Sequence, residues 1–160
     1  MGYSILKLVH IGALVLWLGP ALGAWIVLKA VEREEVNSVT AKVNRAFFAM
    51  ITLEHIAFFV LLATGLYMAM MAGWFATTWV HQKLLIIGLI IIPLEVVDIV
   101  LGNWLAAKAS RNLYNGQKLS RREQRWLVIY HGPFTKLAIV IIPLSVILIM
   151  YLAVSKSPLF

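Results

Sequence analysis

The run WVHQKLLIIGLIIIPLEVVDIVLGNWL, residues 79–105, decides the fold of this chain. It is almost wholly apolar and is longer than the about 20 residues that a helix needs to cross a bilayer. Three further runs share this character, at residues 4–28, 47–71 and 134–154. We therefore predict an all-α polytopic membrane protein, a four-transmembrane-helix up-and-down bundle in which residues 1–160 form a single membrane domain.

The composition agrees with a chain that lies in the bilayer. Hydrophobic residues make up 62% of the 160 residues and charged residues 13%, whereas a soluble domain carries about 45–50% and about 25%. The absence of cysteine from the sequence excludes disulfides, cysteine-bound zinc, iron–sulfur clusters and thiol catalysis. Any metal ligand must therefore be a histidine, methionine, tyrosine or carboxylate side chain.

Most of the basic residues lie in two connections between the apolar runs, at 29–46 and 106–130. They are Lys29, Arg33, Lys42, Arg45, Lys108, Arg111, Lys118, Arg121, Arg122 and Arg125. The positive-inside rule places both connections in the cytoplasm and both termini outside. Topology thus explains the net charge of +7, and we expect no nucleic-acid partner. Within the second connection, Asn115-Gly116 predicts a turn and Ser120 predicts the start of a short basic helix that contacts membrane lipid.

Ionisable residues inside apolar runs are costly in a bilayer, and we take them as functional unless an internal partner satisfies them. Snorkelling at the interface or a structural hydrogen bond is the alternative for each of them. They are His10, Glu54, His55, His81, Lys83, Glu95, Asp98, His131 and Lys136.

One group of these residues is expected in the outer half of the bundle. His10 lies about 9 Å below the outer edge of the first span, by the rise of an α-helix. His81 and Lys83 enter the third span from the same side. Helical spacing predicts that His81, Gly88 and Glu95 share one face of that span, where Gly88 would leave room for a flat ligand.

His10 is the best candidate for a metal or haem ligand in this outer group. It shares a helix face with Trp17, because the two residues are seven positions apart. The residues at a comparable depth that could bind the same iron are His81, Met68 and Met71.

A second group is expected in the inner half of the bundle. The estimated depths of His55 and His131 in the membrane are similar, so these two residues could bind one metal together. In contrast, His10 and His55 differ in depth by about 15 Å and cannot share an iron. Glu54, Glu95 and Asp98 complete this inner group.

Short motifs along the chain resemble a known family. They are LKLVHI at 6–11, WLG at 17–19, WVHQKLL at 79–85, RW at 125–126 and KSPLF at 156–160. Together they resemble the membrane-integral protoporphyrinogen IX oxidase of bacteria and its relatives, the copper-resistance D membrane proteins. The likeness extends over nearly the whole chain.

The resemblance implies a multi-pass protein of the bacterial inner membrane that binds haem b and acts as an oxidoreductase. It carries His10 over as an axial ligand and His81 and Lys83 as essential residues beside the cofactor, with Trp17 in the same motif. One haem is expected, or two if His55 and His131 hold a second. Electrons would pass between a membrane-associated substrate, a porphyrinogen or a quinone, and a further acceptor.

Two other classes of function stay open at this point. Soft methionine and imidazole ligands would suit a protein that binds or transports copper or another metal ion. A non-catalytic assembly subunit is favoured if all the polar groups are paired internally. Gly19 and Gly23 form a small-xxx-small pair, which is the basis for expecting a homodimer.

Overall fold

The computed structural model describes residues 2–31 and 37–159, and within these ranges it contains helices and no strand. Each of the four long helices is apolar and long enough to cross a membrane, which confirms the predicted all-α, four-span architecture. They are α1 (Gly2–Val31), α2 (Ser38–Met71), α3 (Thr78–Tyr114) and α4 (Arg121–Ser155). Arg33 of the first basic connection and Phe160 of the closing motif lie outside the described residues.

The helices extend beyond the apolar runs, so the connections between them are shorter than expected. Both α3 and α4 reach into the segment 106–130. Ser120 caps α4, because its hydroxyl accepts from the N–H of Glu123 while the Glu123 carboxylate accepts from the N–H of Ser120. The turn at Asn115-Gly116 is also present, with Gly116 at a φ of +73° that favours glycine. The turn and the helix start at Ser120 are therefore confirmed. The helix is not a short separate one, however, because it continues from Arg121 into the fourth span as part of α4.

Both termini lie at one end of the bundle. Near the start of α1, His10 contacts Thr64, which lies close to the end of α2. Near the C-terminus, the N–H of Leu159 donates to the side-chain oxygen of Gln82 in α3, at 2.8 Å. The predicted up-and-down topology follows from these contacts, and we call this end of the bundle the outer end, in line with the positive-inside rule.

The buried apolar side chains form three layers along the bundle. Nearest the basic connections lie Ala24, Leu28, Phe47, Ile51, Ala106 and Tyr130. The middle layer contains Trp17, Ala57, Phe58, Ile91 and Val146. The outer layer contains Trp79, Val80, Ile86 and Leu152. Many large apolar side chains point away from these layers, among them Leu8, Leu89, Leu144 and Val154, and they form the surface that contacts lipid.

In the part of the chain that the structure describes, three helical segments are wound as π-helix rather than α-helix. They are Ile87–Ile91 and Asp98–Ala106 in α3, and Tyr130–Phe134 in α4. The first has a clear cause in the sequence, because Pro93 has no N–H and its ring conflicts with the carbonyl of Leu89, four residues earlier. Each wide turn holds an additional residue, so the helix face presented by every later residue is rotated.

This rotation corrects one of the predictions from the sequence. Glu95 is buried, with 4% of its surface exposed, whereas His81 and Gly88 lie on the exposed surface of α3. The three residues therefore do not share a face. A Cβ atom at Gly88 would meet nothing within 4 Å, so this glycine borders no enclosed space for a ligand.

The contact between α3 and α4 depends on a glycine. A Cβ atom at Gly102 would lie 2.6 Å from three ring and hydroxyl atoms of the Tyr130 side chain. Only a residue without a side chain therefore allows Tyr130, which is 2% exposed, to pack there. In contrast, Gly19 and Gly23 have open space around them, so the small-xxx-small pair does not bring two helices of this chain together.

Candidate functional site

The outer cavity is the first candidate site, and His10 is its most informative residue. Nδ1 of His10 lies 2.9 Å from the hydroxyl oxygen of Thr64. The hydroxyl oxygen of Thr64 also lies 2.7 Å from the backbone carbonyl of Val60 and 3.1 Å from that of Leu61, so its proton has acceptors within its own helix. In the tautomer whose Nδ1 carries the imidazole proton, His10 donates to Thr64, and Nε2 keeps a lone pair that can bind a metal ion.

Gly65 provides the space that this imidazole occupies. A Cβ atom at position 65 would lie 2.9 Å from Cε1 of His10, which is closer than real contacts allow. Thr64 and Gly65 therefore act together, since one orients the ring of His10 and the other leaves room for it.

The outer cavity has a volume of about 190 Å³ and is open on one side. His10 and Lys83 are the ionisable side chains among the described residues that line it. Its other walls are apolar, and they include Leu14, Trp17, Phe58, Leu61, Ile87, Ile91 and Val146. The predicted common face of His10 and Trp17 on α1 is present.

Of the other residues predicted for the outer site, some line the cavity and others lie outside it. Lys83 lines the cavity, and its Nζ lies 5.4 Å from the ring centre of Trp79. His81 is exposed and is not part of the cavity wall. Met68 is buried and lines the cavity, whereas Met71 is 58% exposed and points away from it.

The inner polar cluster is the second candidate site, and Glu95 lies at its centre. One carboxylate oxygen of Glu95 accepts from the indole N–H of Trp17 at 2.8 Å. The other lies 3.0 Å from Nδ1 of His55. This bond links α2 to α3 through two side chains that are almost fully buried. Trp17 thus contributes to both sites, because its ring lines the outer cavity and its N–H binds the inner cluster.

Glu54 and Asp98 lie beside this central group. Their carboxyl groups and that of Glu95 are close enough to repel one another electrostatically, and Asp98 also hydrogen-bonds with the hydroxyl of Tyr130. Three buried side-chain atoms of the inner polar cluster have no hydrogen-bond partner among the described residues. These atoms are Oε1 of Glu54, Oδ1 of Asp98 and Nε2 of His55.

His131 lies lower in the bundle than the rest of this cluster. Its ring is 5.6 Å from that of Phe47, and its carbonyl accepts from the indole N–H of Trp25 at 3.3 Å. These contact residues lie eight positions from the level of Glu95 and His55, since Trp25 follows Trp17 on α1 and Phe47 precedes His55 on α2. Eight residues of helix correspond to about 12 Å, so His131 lies about that far from the level of His55. Two imidazoles that share an iron must each lie about 2 Å from it. The expectation that His55 and His131 bind one metal together is therefore not met by this packing.

Among residues 2–31 and 37–159, no three histidine, aspartate or glutamate side chains are placed to hold one metal ion.

Several residues of the two sites were not predicted from the sequence. Thr64 and Gly65 carry no signal in the sequence that would connect them with His10, because they are more than fifty residues away. The bond between Trp17 and Glu95 spans 78 positions and is equally hidden. Tyr130 was predictable, since it directly precedes His131, which is one of the ionisable residues at membrane depth.

Comparisons with known proteins agree with the membrane architecture. A family model described as "Predicted integral membrane protein (DUF2269)" matches residues 4–157 of the chain. Searches of curated proteins and of solved structures found no significant match. The matched segment includes nearly the whole of all four helices.

Proposed function

We propose that this chain, which belongs to the DUF2269 family of predicted integral membrane proteins, is a haem-b-binding redox protein of the bacterial inner membrane. The resemblance to the membrane-integral protoporphyrinogen oxidases motivates the proposal. The orientation of the His10 imidazole supports it and is the observation on which it depends.

His10 has the features of an oriented metal ligand. A ligating histidine nearly always donates its other ring N–H to a fixed acceptor, which selects the tautomer and holds the ring in place. Thr64 provides such an acceptor for Nδ1, at 2.9 Å. When the Thr64 hydroxyl donates to the carbonyl of Val60 or Leu61, Nδ1 of His10 is the donor and the free lone pair is that of Nε2. The ring also lies in the wall of the outer cavity.

The rest of the cavity suits an amphipathic macrocycle with two carboxylate groups. The walls are apolar, and Lys83 supplies a positive charge that can pair with a propionate. The open side means that a planar group larger than the enclosed volume can still be bound. Haem bound here would supply one-electron transfer, with a potential set by the second axial ligand and by burial.

Met68 would be the second residue to hold the haem iron, since it is buried and lines the same cavity as His10. His81 and Met71 are not proposed in this role because both point away from the cavity. One haem is proposed rather than two, because His55 and His131 are on different levels.

The substrate is proposed to be a porphyrinogen or a quinone dissolved in the membrane. Both are largely apolar, and the outer cavity is apolar apart from His10 and Lys83. Leu66 and Met150 line the cavity and are also exposed at the surface of the bundle. The cavity can therefore be reached from the lipid.

The decisive experiment is the visible spectrum of the purified protein, oxidised and dithionite-reduced, with a pyridine haemochrome assay for stoichiometry. We expect a Soret band, reduced b-type bands and one haem per chain. The His10→Ala variant should lose the haem and still insert into the membrane, whereas His81→Ala, which changes an exposed imidazole outside the cavity, should keep it. A colourless parent protein from haem-replete cells, or full haem content in His10→Ala, would overturn the proposal.

A further inference from the structure

The inner half of the bundle contains a second cavity, which is lined by several acidic side chains. Its volume is about 300 Å³, at the lower end of the range for small-molecule sites. Three carboxyl side chains line it, those of Glu54, Glu95 and Asp98. No lysine, arginine or histidine is found among the described residues of this lining.

The carboxyl groups of this cavity are only partly paired within the described residues. The carboxylate of Glu95 is bonded by Trp17 and His55 at its two oxygens. Oε1 of Glu54 and Oδ1 of Asp98, in contrast, are buried without a hydrogen-bond partner among the described residues. A carboxyl group in this condition requires either a proton or an external cation, because an unpaired charge is very unfavourable in a dry interior.

Glu54 shows that this is a prepared site rather than a set of surface acids. Its side chain is 6% exposed, lines the cavity and leaves one oxygen unpaired. Asp98 and Tyr130 each begin a π-helical segment. Wide turns of this kind are frequent at functional sites, because they change the direction of individual side chains.

The aromatic walls of the cavity indicate what kind of cation would bind. Phe47, Tyr130 and Phe134 line it, and the rings of Tyr130 and Phe134 are stacked with centres 5.9 Å apart. Aromatic faces attract organic cations and provide apolar contact for their hydrocarbon parts. A bare metal ion fits this cavity less well than an organic cation, since no three acidic or imidazole groups among the described residues are placed to hold a metal ion.

We infer that the inner cavity binds a small organic ammonium cation that carries an apolar group. The ammonium group lies between Glu54 and Asp98 and supplies the hydrogen bonds that their free oxygens lack. The apolar group packs against Tyr130 and Phe134. This site is separate from the proposed haem site and does not require haem.

The test uses the full chain purified in detergent, with benzylammonium as the probe and benzyl alcohol as its neutral counterpart of similar shape. Binding is measured by isothermal titration calorimetry at constant pH. We expect benzylammonium to bind and benzyl alcohol to bind at least tenfold more weakly. The Glu54→Gln and Asp98→Asn variants should each lower the affinity for benzylammonium by at least tenfold.

Two further variants separate a lost site from a damaged fold. Glu123→Gln removes a carboxylate outside the cavity and should bind the probe like the parent chain. Ala138→Leu keeps all the carboxyl groups but adds volume at a residue that lines the cavity, so it should also weaken binding. If Glu54→Gln fails to yield helical, monodisperse protein, Ala138→Leu decides the matter.

Three results would overturn the inference. Equal affinity for the ammonium ion and the alcohol would show that charge is not recognised. Unchanged affinity in both Glu54→Gln and Ala138→Leu would place the probe elsewhere. No binding of benzylammonium at all would mean that protons alone neutralise these carboxyl groups.

Discussion

The bond between His10 and Thr64 fixes the imidazole in the wall of the outer cavity, and the proposed haem binding depends on it. In the Thr64→Val variant the hydroxyl acceptor is lost while the size of the side chain is kept, so Nδ1 of His10 loses its fixed partner. Loss of such a partner typically weakens metal binding by about 10–100-fold. We expect Thr64→Val to lower haem affinity by this factor rather than to abolish binding, measured by haem titration of the apoprotein.

Thr52→Val is a suitable control for this prediction. Thr52 lies on the same helix, is exposed, and bonds to the carbonyl of Phe48 in its own helix. The Thr52→Val variant therefore removes a hydroxyl group of the same kind at a position outside the outer cavity, and it should leave haem affinity unchanged. Equal affinities in Thr64→Val and the parent chain would contradict the role assigned to Thr64.

Gly65 gives a second prediction at the scale of one residue. A Cβ atom there would be 2.9 Å from Cε1 of His10, so Gly65→Ala must displace the imidazole. We expect lower haem content in Gly65→Ala, together with a changed Soret position in the fraction that binds. Gly12→Ala, on the same helix as His10 but with open space at its Cβ position, should behave as the parent chain. A normal spectrum and full haem content in Gly65→Ala would show that the ring does not need this position.

Some features of individual site residues could be predicted from the sequence, and others could not. The depth of His10 and its common face with Trp17 follow from the rise and period of one helix, and both were predictable. Thr64 was not, because its position beside His10 depends on how α1 and α2 pack, and an apolar sequence gives little information about that register. For the same reason, the acceptor for the Trp17 indole could not be assigned before the fold was known.

At the scale of whole elements, α3 shows where counting residues fails. Its apolar length predicted a membrane span correctly, yet the face assigned to Glu95 was wrong. The π-helical segment Ile87–Ile91 lies between Gly88 and Glu95 and alters the period of 3.6 residues on which the assignment relied. Pro93 was the available signal, but a proline predicts a local disturbance without giving its direction.

The packing of α3 on α4 leads to a prediction about stability. Gly102→Ala would place a methyl group 2.6 Å from atoms of the buried Tyr130 side chain. Overpacking of this kind typically destabilises a protein by about 1–3 kcal/mol. We expect Gly102→Ala to lower the free energy of unfolding by that amount in a thermal or detergent denaturation experiment.

Gly88→Ala provides the matched control within the same helix. Its Cβ position is open, and alanine favours a helix over glycine, so this change should leave stability equal or slightly higher. If Gly102→Ala were as stable as Gly88→Ala, the close contact with Tyr130 would not be part of the folded state.

At the scale of the whole molecule, the two cavities lie in opposite halves of the bundle and share one wall. Trp17 lines both of them. The outer cavity has a histidine and a lysine as its ionisable groups, whereas the inner cavity has carboxyl groups. The four spans thus enclose two chemically different cavities, and Trp17 connects them because it lines the outer one and donates to Glu95 in the inner one.

The orientation of the molecule can be tested directly because the sequence contains no cysteine. Single cysteines introduced by Ser157→Cys and Lys118→Cys would report the two ends of the bundle without any background labelling. Both positions are exposed, so their accessibility depends on the side of the membrane rather than on burial. The basic connections should face the cytoplasm by the positive-inside rule. In intact cells, a membrane-impermeant maleimide that crosses the outer membrane should label Cys introduced at 157 and should label the one at 118 only after the inner membrane is permeabilised. The reverse pattern would place the His10 cavity near the cytoplasmic face, and the source of its substrate would then have to be sought on that side.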